Sequence, residues 1–322
     1  MTRFLIRRIL QGLFVMWLMT ISVFLIFYVG PGPADVARVL AGREASPATV
    51  AAVAHRLLLD RPLYVQYGHF IWQLLHGSLG YDYYHGESVN TVLRAAFPIT
   101  LSLVIGAAIL WLFMGLASGI VSAVKTRSIW DRTFTVLALT FYSMPTFVLG
   151  LLLIFGLYYQ FTTHHINIFA APNTWVSFTT NPLKWLQVLI LPWLTLALVS
   201  AATYTRLSRG SLLDVFGEDY IRTARSKGMS ERRLIFRHAL RSALTPVVTQ
   251  FGLDVGVLVG GAVITETVFG LPGLGYTAVN AINQQDLPVV IGVVIVASAA
   301  VIIANLIVDI LYAVLDPRVR LH

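Results

Sequence analysis

Long apolar runs separated by short polar segments dominate this sequence. A helix of about 20 apolar residues spans the roughly 30 Å hydrocarbon core of a bilayer, and a bilayer-spanning backbone must satisfy its hydrogen bonds internally. The pattern therefore predicts an all-α polytopic membrane protein with about six transmembrane helices. We place these spans at 9–29, 100–124, 134–160, 185–205, 245–268 and 288–314.

The segment between the first two predicted spans has two stretches with helical periodicity. Ser46 and Pro47 are typical of a helix start, and apolar residues follow them at helical spacing. A second amphipathic stretch runs from Leu63 to Leu75, and Gly77 provides its end. We expect two short helices here, at the membrane surface or over the mouth of the membrane domain.

Composition supports the membrane assignment. Hydrophobic residues make up 57% of the 322 residues and charged residues only 12%, against about 25% charged in ordinary soluble domains. The mean hydropathy is +0.75. The absence of cysteine excludes disulfides, thiolate metal sites and cysteine nucleophiles.

The net charge of +8 favours membrane orientation over nucleic-acid binding, because the basic residues cluster on one predicted side. Seventeen of the 23 Lys and Arg residues lie in the N-terminus, the turn at 125–133, the loop at 206–244 and the tail. We expect a prokaryotic plasma (inner) membrane protein with both termini cytoplasmic. The predicted divisions are the N-terminal end with the first span at 1–29, an extracytoplasmic segment with the short helices at 30–93, a membrane core with the 206–244 loop at 94–316, and a cytoplasmic tail at 317–322.

The loop at 206–244 carries nine basic and four acidic residues in a regular pattern. A short helix is predicted around Glu218 to Lys227. Gly228 suits the left-handed position that ends a helix, and Ser230 with Glu231 suits the start of the next. A solvated loop touching anionic lipid is the alternative interpretation. The predicted helix and its end carry the residues of interest, Tyr220, Arg222, Ala224, Arg225, Lys227 and Gly228.

The stretch EDYIRTARSKGMSERRLIFRHALRSALTPVVT closely resembles the cytoplasmic coupling loop of ATP-binding-cassette (ABC) importer permeases, in the peptide/nickel branch that includes the dipeptide and oligopeptide permease B-like proteins. GGAVITETVFGLPGLG and NLIVDILYAVLDPRVR resemble that branch's fifth-span exit and C-terminal signature. One departure concerns the glutamate-alanine-alanine triplet of the wider superfamily, where this chain has Arg222-Thr223-Ala224. The contacts of that glutamate are therefore not carried over.

The resemblance implies a type I ABC importer permease fold, with the six residues named above contacting an ATPase. It implies half of a translocation pathway for di-/oligopeptides or a related small solute. The implied partners are a second homologous permease, two ABC ATPase subunits, an extracytoplasmic solute-binding protein, the solute itself and membrane lipid. No cofactor is expected in this chain, with ATP and Mg held by the partner subunits, because the sequence has no G-x-x-x-x-G-K-[ST] phosphate loop.

Polar groups within or near the predicted spans are candidates for the pathway or a gate. Asp254 lies most centrally, and either a pathway position or an interhelical hydrogen bond explains it. Glu266 and Phe269 adjoin a Gly-Leu-Pro-Gly turn near the predicted outer boundary, and either a gate or an interfacial cap explains Glu266. For the outer loop at 283–286, contact with a solute-delivering protein and ordinary solvation are equally good explanations.

Other function classes have less support. No H-E-x-x-H or G-x-S-x-G motif indicates an enzyme, so no catalytic residue is predicted. The adjacent His164 and His165 would point about 100° apart on a helix, which makes a poor metal site, and no metal site is predicted. The remaining alternative is an ion-coupled secondary carrier or channel acting without ATPase subunits.

Overall fold

The computed structural model describes residues 2–29, 36–38, 46–56, 58–82 and 85–315. The described part is almost entirely helical. In chain order its first elements are α1 (Thr2–Phe24) continued by a π-helical turn (Leu25–Val29), α2 (Pro47–Arg56), α3 (Leu63–Leu75), β1 (Tyr81–Asp82), β2 (Glu87–Ser88), α4 (Val89–Val124), α5 (Ile129–Ser143) and α6 (Thr146–Leu153). They are followed by a π-helical turn (Ile154–Tyr159), α7 (Gln160–Thr163), α8 (Pro182–Phe216), α9 (Asp219–Ser226), α10 (Glu231–Leu234), a π-helical turn (Ile235–Ala239), α11 (Leu240–Gly261), α12 (Val263–Phe269), α13 (Leu274–Gln284) and α14 (Leu287–Leu315).

Five helical segments among the described residues are long and apolar enough to cross a membrane. They are Ile6–Val29, Val89–Val124, Thr146–Thr163, Pro182–Phe216 and Leu287–Ile310. Helix α11 covers most of the span predicted at 245–268. Large apolar side chains point outward from these helices at a spacing of four residues, as Ile105, Ile109 and Phe113 do on α4 with 50%, 64% and 71% of their surface exposed. Such a stripe suits contact with lipid chains.

The third predicted span was wrong in its extent. Instead of one helix over 134–160, the chain forms α5, which ends at Ser143, and then α6. Pro145 causes the break, because a proline disfavours the helical conformation of the residue before it. Met144 accordingly has an extended backbone with ψ of 129°.

Helix boundaries elsewhere lie outside the apolar runs. Helix α4 begins at Val89 and contains Pro98, and α8 continues to Phe216, well into the segment predicted as a loop.

Both short amphipathic helices are confirmed: Ser46 Oγ accepts a hydrogen bond from Thr49 N at the start of α2, and α3 spans Leu63–Leu75 as predicted. Gly77 follows with φ of +75°.

The chain divides into two compact units. The first contains the described residues of Met1–Leu101, Val259–Val263 and Pro272–Leu306. In it, Val23 and Phe24 of α1 pack with Phe70 of α3 and with Ile291 and Ile295 of α14. A neighbouring cluster joins the start of α4 to α13 and α14, and its buried residues are Val89, Leu93, Ala96, Leu274, Ala281, Val289, Val290 and Val293.

The second unit contains Ser102–Leu258, Ile264–Leu271 and the described part of Ile307–His322. Here α4 and α8 approach closely, because Gly115 and Gly119 lie against Tyr204 and Ser208 where any side chain would collide. Ser208 Oγ donates to the Gly115 carbonyl at 3.2 Å. Small residues that let helix backbones meet are the usual basis of helix association in membranes.

Candidate functional site

The predicted coupling helix forms as α9 and ends where the sequence indicated. Asp219 lies in its first turn and Arg225 in its last, so both charges complement the helix dipole. Gly228 then adopts φ of +75°, a left-handed conformation that glycine takes without steric cost. A Cβ added to Gly228 would meet nothing within 4 Å, so its outer side is open. The helix, its glycine end and the next helix start at Glu231 are confirmed.

An apolar cluster holds this short helix in place. Ile221 of α9 is 0% exposed and packs with Leu212 of α8 and with Leu234 at the end of α10. The other buried members are Ala123 of α4, and Ala239 and Ala243 where the π-helical turn leads into α11. An eight-residue helix is too short to be stable alone. Its position is therefore fixed by burial of Ile221 against the neighbouring helices.

The predicted coupling residues lie on and around α9. Arg222, Arg225, Lys227 and Gly228 are exposed, and Tyr220 is 44% exposed. Ala224 differs from the others, because it is half-buried and packs against the apolar cluster of this same chain. The small side chain of Ala224 therefore allows close packing within this chain, at least in part, and not only against another protein.

Two polar contacts connect α9 to the elements that follow it. Arg225 Nε and Nη2 donate to Glu231 at 2.8 and 3.2 Å. That hydrogen bond lowers the pKa of Glu231 below its usual range. Tyr220 Oη donates to Ser242 Oγ on α11 at 3.1 Å. The loop helix is therefore linked to α11 by side-chain contacts as well as by the chain.

A partly buried ion pair that the sequence did not predict lies between α5 and α8. Arg209 donates from Nε and Nη2 to the two oxygens of Asp131 at 2.8 and 3.0 Å. The hydrogen bond from Arg209 lowers the pKa of Asp131, and so does the backbone N–H of Arg127. Assigning residues from 206 onward to a loop hid this pair, because Arg209 lies on helix α8.

Asp254 on α11 belongs to a polar contact between helices. Tyr204 Oη of α8 donates to one carboxylate oxygen at 2.9 Å, and Gln250 Nε2 donates to the other at 2.8 Å. The Tyr204 ring, 0% exposed, packs near Trp111 of α4. The interhelical hydrogen bond foreseen as one explanation of Asp254 is present, and Asp254 itself stays half-buried. Tyr204 was not predicted as this partner, because it lies within an apolar run of α8.

Glu266 and Phe269 are both buried on α12, with 0% and 5% of their surface exposed. The Phe269 carbonyl accepts a hydrogen bond from Asn173 N at 2.9 Å, and the chain then turns at Gly270 with φ of +64°. The Phe269 ring also packs near Gly150 of α6. Glu266 and Phe269 thus lie next to a tightly packed turn, and their role in a gate stays a prediction.

The remaining polar candidates are separated by exposure. His164 and His165 are exposed at the end of α7. In the 283–286 segment, Asn283, Gln284 and Gln285 are exposed but Asp286 is buried. Simple solvation therefore does not account for Asp286.

Comparison with known proteins matches the whole length of the chain. Residues 115–321 match the family described as binding-protein-dependent transport system inner membrane component, and residues 1–104 match the N-terminal family of the same membrane component. A dipeptide transport system permease protein, DppB of Escherichia coli (strain K12), is 37% identical over 99% of both chains. A glutathione transport system permease protein, GsiC of Salmonella choleraesuis (strain SC-B67), is 38% identical over 99% of both chains.

Proposed function

Because the chain belongs to the family of binding-protein-dependent transport system inner membrane components, it is a membrane permease subunit, and we propose that ATP hydrolysed in partner subunits drives it through the loop at α9. The observation that carries this proposal is the construction of the loop. Exposed charges and an open glycine surround a helix whose buried side is locked to α8, α10 and the start of α11. A rigid helix with a free outer side is suited to receive force from another protein.

The loop can transmit a displacement directly. Two residues after Gly228, the chain enters α10 at Glu231 and continues through a π-helical turn into α11 without a further loop. Ile221 packs against Leu234, and Tyr220 bonds to Ser242 on α11. A push on α9 would therefore shift the inner end of α11, the helix that carries Asp254. Packed interfaces of this kind switch between discrete arrangements instead of deforming continuously.

The partners follow from the same proposal. Two ATPase subunits would bind ATP and Mg, because the present sequence has no phosphate loop of its own. A second homologous permease would complete the pathway, and an extracytoplasmic solute-binding protein would deliver the cargo. Peptides and glutathione appear in the names of the relatives, so we propose di-/oligopeptides or a related small solute as cargo.

We further propose that both termini and the α9 loop are cytoplasmic. Seventeen of the 23 basic residues lie on that side in the predicted topology. Cytoplasmic loops carry such an excess of Lys and Arg. The arrangement puts the exposed Arg222 and Lys227 where cytoplasmic ATPases would meet them.

Reconstitution tests the function. The full complex in liposomes, supplied with ATP and the binding protein, should take up labelled dipeptide, and the chain alone should not. Uptake by the chain alone, driven by an ion gradient and independent of ATP, would support the ion-coupled carrier and overturn the proposal. The variant Arg222→Ala with Lys227→Ala should reduce ATP-driven uptake, because it removes two exposed charges of α9, while Lys125→Ala outside the loop serves as the matched control.

A further inference from the structure

A small β-hairpin precedes α4 and presents a buried aspartate. Strands β1 and β2 pair antiparallel, with Asp82 opposite Glu87. Asp82 is 1% exposed, and it accepts hydrogen bonds from His85 N at 2.8 Å and from His85 Nδ1 at 2.7 Å. The His85 side chain is 50% exposed. The hairpin thus holds a buried carboxylate beneath an imidazole that solvent can reach.

A second buried carboxylate comes from the junction between α13 and α14. Gln285 adopts φ of +61°, which turns the chain so that Asp286 precedes α14. Asp286 is 7% exposed, and its Oδ1 accepts from Val289 N at 3.3 Å in the first turn of that helix. Its Oδ2 is buried and has no hydrogen-bond partner among the described residues. A buried acceptor without a partner destabilises the folded protein, because its contact with water is lost and not replaced.

The three side chains converge. One oxygen of Asp82, one ring nitrogen of His85 and one oxygen of Asp286 all lie within 4.8 Å of one another. Two buried carboxyls at such a separation cannot both ionise without a compensating positive charge. Burial and the adjacent Asp82 raise the pKa of Asp286 to about 7. For Asp82, burial opposes ionisation, but its hydrogen bonds to Asp286 and His85 lower its pKa overall.

We propose that Asp82, His85 and Asp286 form a binding site for a divalent transition-metal cation such as Zn²⁺. When both carboxyls are ionised, Oδ2 of Asp286 has no donor among the described residues and the two like charges repel each other, so a cation in this position would compensate both. One imidazole and two carboxylates match the ligand preferences of Zn²⁺. Mg²⁺ and Ca²⁺ fit less well, because they favour six or more oxygen ligands. The exposed His85 gives the ion a route of entry and leaves a position for water.

A bound cation would join parts of the first unit that are far apart in sequence. Asp82 and His85 belong to the hairpin before α4, whereas Asp286 begins α14. Zn²⁺ holds nitrogen and oxygen ligands at about 2.0–2.2 Å, so the three ligand atoms would draw closer than their present limit of 4.8 Å. The site would act as a structural clamp, and its occupancy would raise the thermal stability of the protein.

Zinc titration of the purified full chain tests the site. The detergent-solubilised protein is stripped with a chelator and titrated with Zn²⁺ at pH 8 by calorimetry, with Mg²⁺ as a comparison. We expect one Zn²⁺ per chain, and a loss of affinity of at least about tenfold in His85→Ala and Asp286→Asn, since even changes around metal ligands cost about 10–100-fold. The double variant His164→Ala with His165→Ala is the matched control and should keep the site.

Thermal unfolding separates a lost ligand from a damaged fold. Asp286→Asn keeps the size of the side chain and removes one acid, so the variant should fold and show no stabilisation by Zn²⁺, while the wild type is stabilised. The proposal is overturned if the wild type binds no Zn²⁺ at pH 8, if the His164/His165 double variant is the one that loses it, or if Asp286→Asn binds with unchanged affinity. In those cases a proton shared by Asp82 and Asp286 satisfies the pair.

Discussion

The α9 loop of the second unit and the 81–88 hairpin of the first unit use charge in opposite ways. In the loop, Arg225 pairs with Glu231, and the buried layer beneath them is apolar. In the hairpin, the carboxyl group of Asp82 is itself buried, and it lies close to Asp286, a second buried acid. The loop therefore holds its charges at the surface above an apolar layer, which suits the proposed protein partner, whereas Asp82 and Asp286 bring two buried acids together, which suits the proposed cation.

Removing the apolar layer under the loop should give the largest effect. Ile221→Asp introduces a charge where the side chain is 0% exposed. We expect a loss of about 4 kcal/mol or more of unfolding free energy, from the lost packing and the buried charge together. The unfolding temperature and the rate of ATP-driven uptake should both fall.

Arg222→Ala is the control for Ile221→Asp on the same helix. Its side chain is 70% exposed and its contact with Asp219 is long, at 3.5 Å, so stability should change by no more than about 0.5 kcal/mol. ATP-driven uptake should fall without a matching loss of stability. Equal stability losses in the two variants would contradict the separation of a buried layer from an exposed docking face.

The Asp131–Arg209 pair supplies the next largest effect. Arg209→Ala leaves the buried Asp131 without its cation, and breaking such pairs costs about 3–5 kcal/mol when both partners are buried. Arg209 is 33% exposed, so we expect a smaller loss of about 1–3 kcal/mol. Adding Asp131→Ala should restore part of the stability, because no charge then stays buried.

The pH dependence has a definite sign at this pair. The pKa of Asp131 is lowered in the folded protein, so its contribution to stability is present above the usual aspartate pKa and is lost as pH falls. Unfolding temperatures measured across the acidic range should therefore decline more steeply in the wild type than in Arg209→Ala. Parallel declines would show that the pair contributes nothing.

The pair of Asp82 and Asp286 should have the opposite pH dependence, with stability lost as pH rises. In metal-free protein at pH 8, Asp286→Asn should raise the unfolding temperature, since it removes a buried carboxylate that lies close to the carboxylate of Asp82. The pKa of Asp286 is raised from 3.8 to about 7, so the penalty for its charge grows across that interval and is complete at pH 8. Each kcal/mol relieved corresponds to roughly 2–4 °C. A lower unfolding temperature would indicate that Asp286 is already compensated.

The smallest effect is expected at the exposed pair of the loop. Arg225 and Glu231 are 43% and 59% exposed, and exposed ion pairs contribute about 0.2–1 kcal/mol. Glu231→Gln should therefore lower stability by less than about 1 kcal/mol in thermal unfolding, and the loss should shrink further in high salt. A loss as large as that of Arg209→Ala would erase the distinction between exposed and buried pairs.

Local signals in the sequence predicted the loop well. The glycine at 228 and the Ser230-Glu231 start lie within one short segment. Gly228 takes the left-handed conformation that ends α9, and Ser230 lies at the N-cap position of α10, although its side chain makes no capping hydrogen bond there. The short helix at Leu63–Leu75 was predicted for the same reason. The break before Pro145 was not predicted, because the apolar run continues through it and the span was placed by its apolar length.

Long-range pairings could not be predicted in this way. Asp286 lies in a run of polar residues that resembles a solvated turn, and only the fold brings it to Asp82. Arg209 and Asp131 are likewise distant in sequence. Tyr204 lies in an apolar run, where nothing local indicates its bond to Asp254. Such pairs depend on which helices meet, which periodicity along one helix does not determine.

The most direct test of the central claim, that an ATPase docks on the α9 loop, uses the open side of Gly228. The tagged chain is purified from its native membrane in mild detergent, and bound ATPase subunits and ATP hydrolysis are measured for the wild type, Gly228→Trp and Gly228→Asn. Asparagine tolerates the positive φ and is the control for adding a small side chain at this position. We predict that the wild type and the asparagine variant retain the ATPases and that the tryptophan variant loses them. ATPases that remain bound and active with Gly228→Trp would contradict docking at this loop.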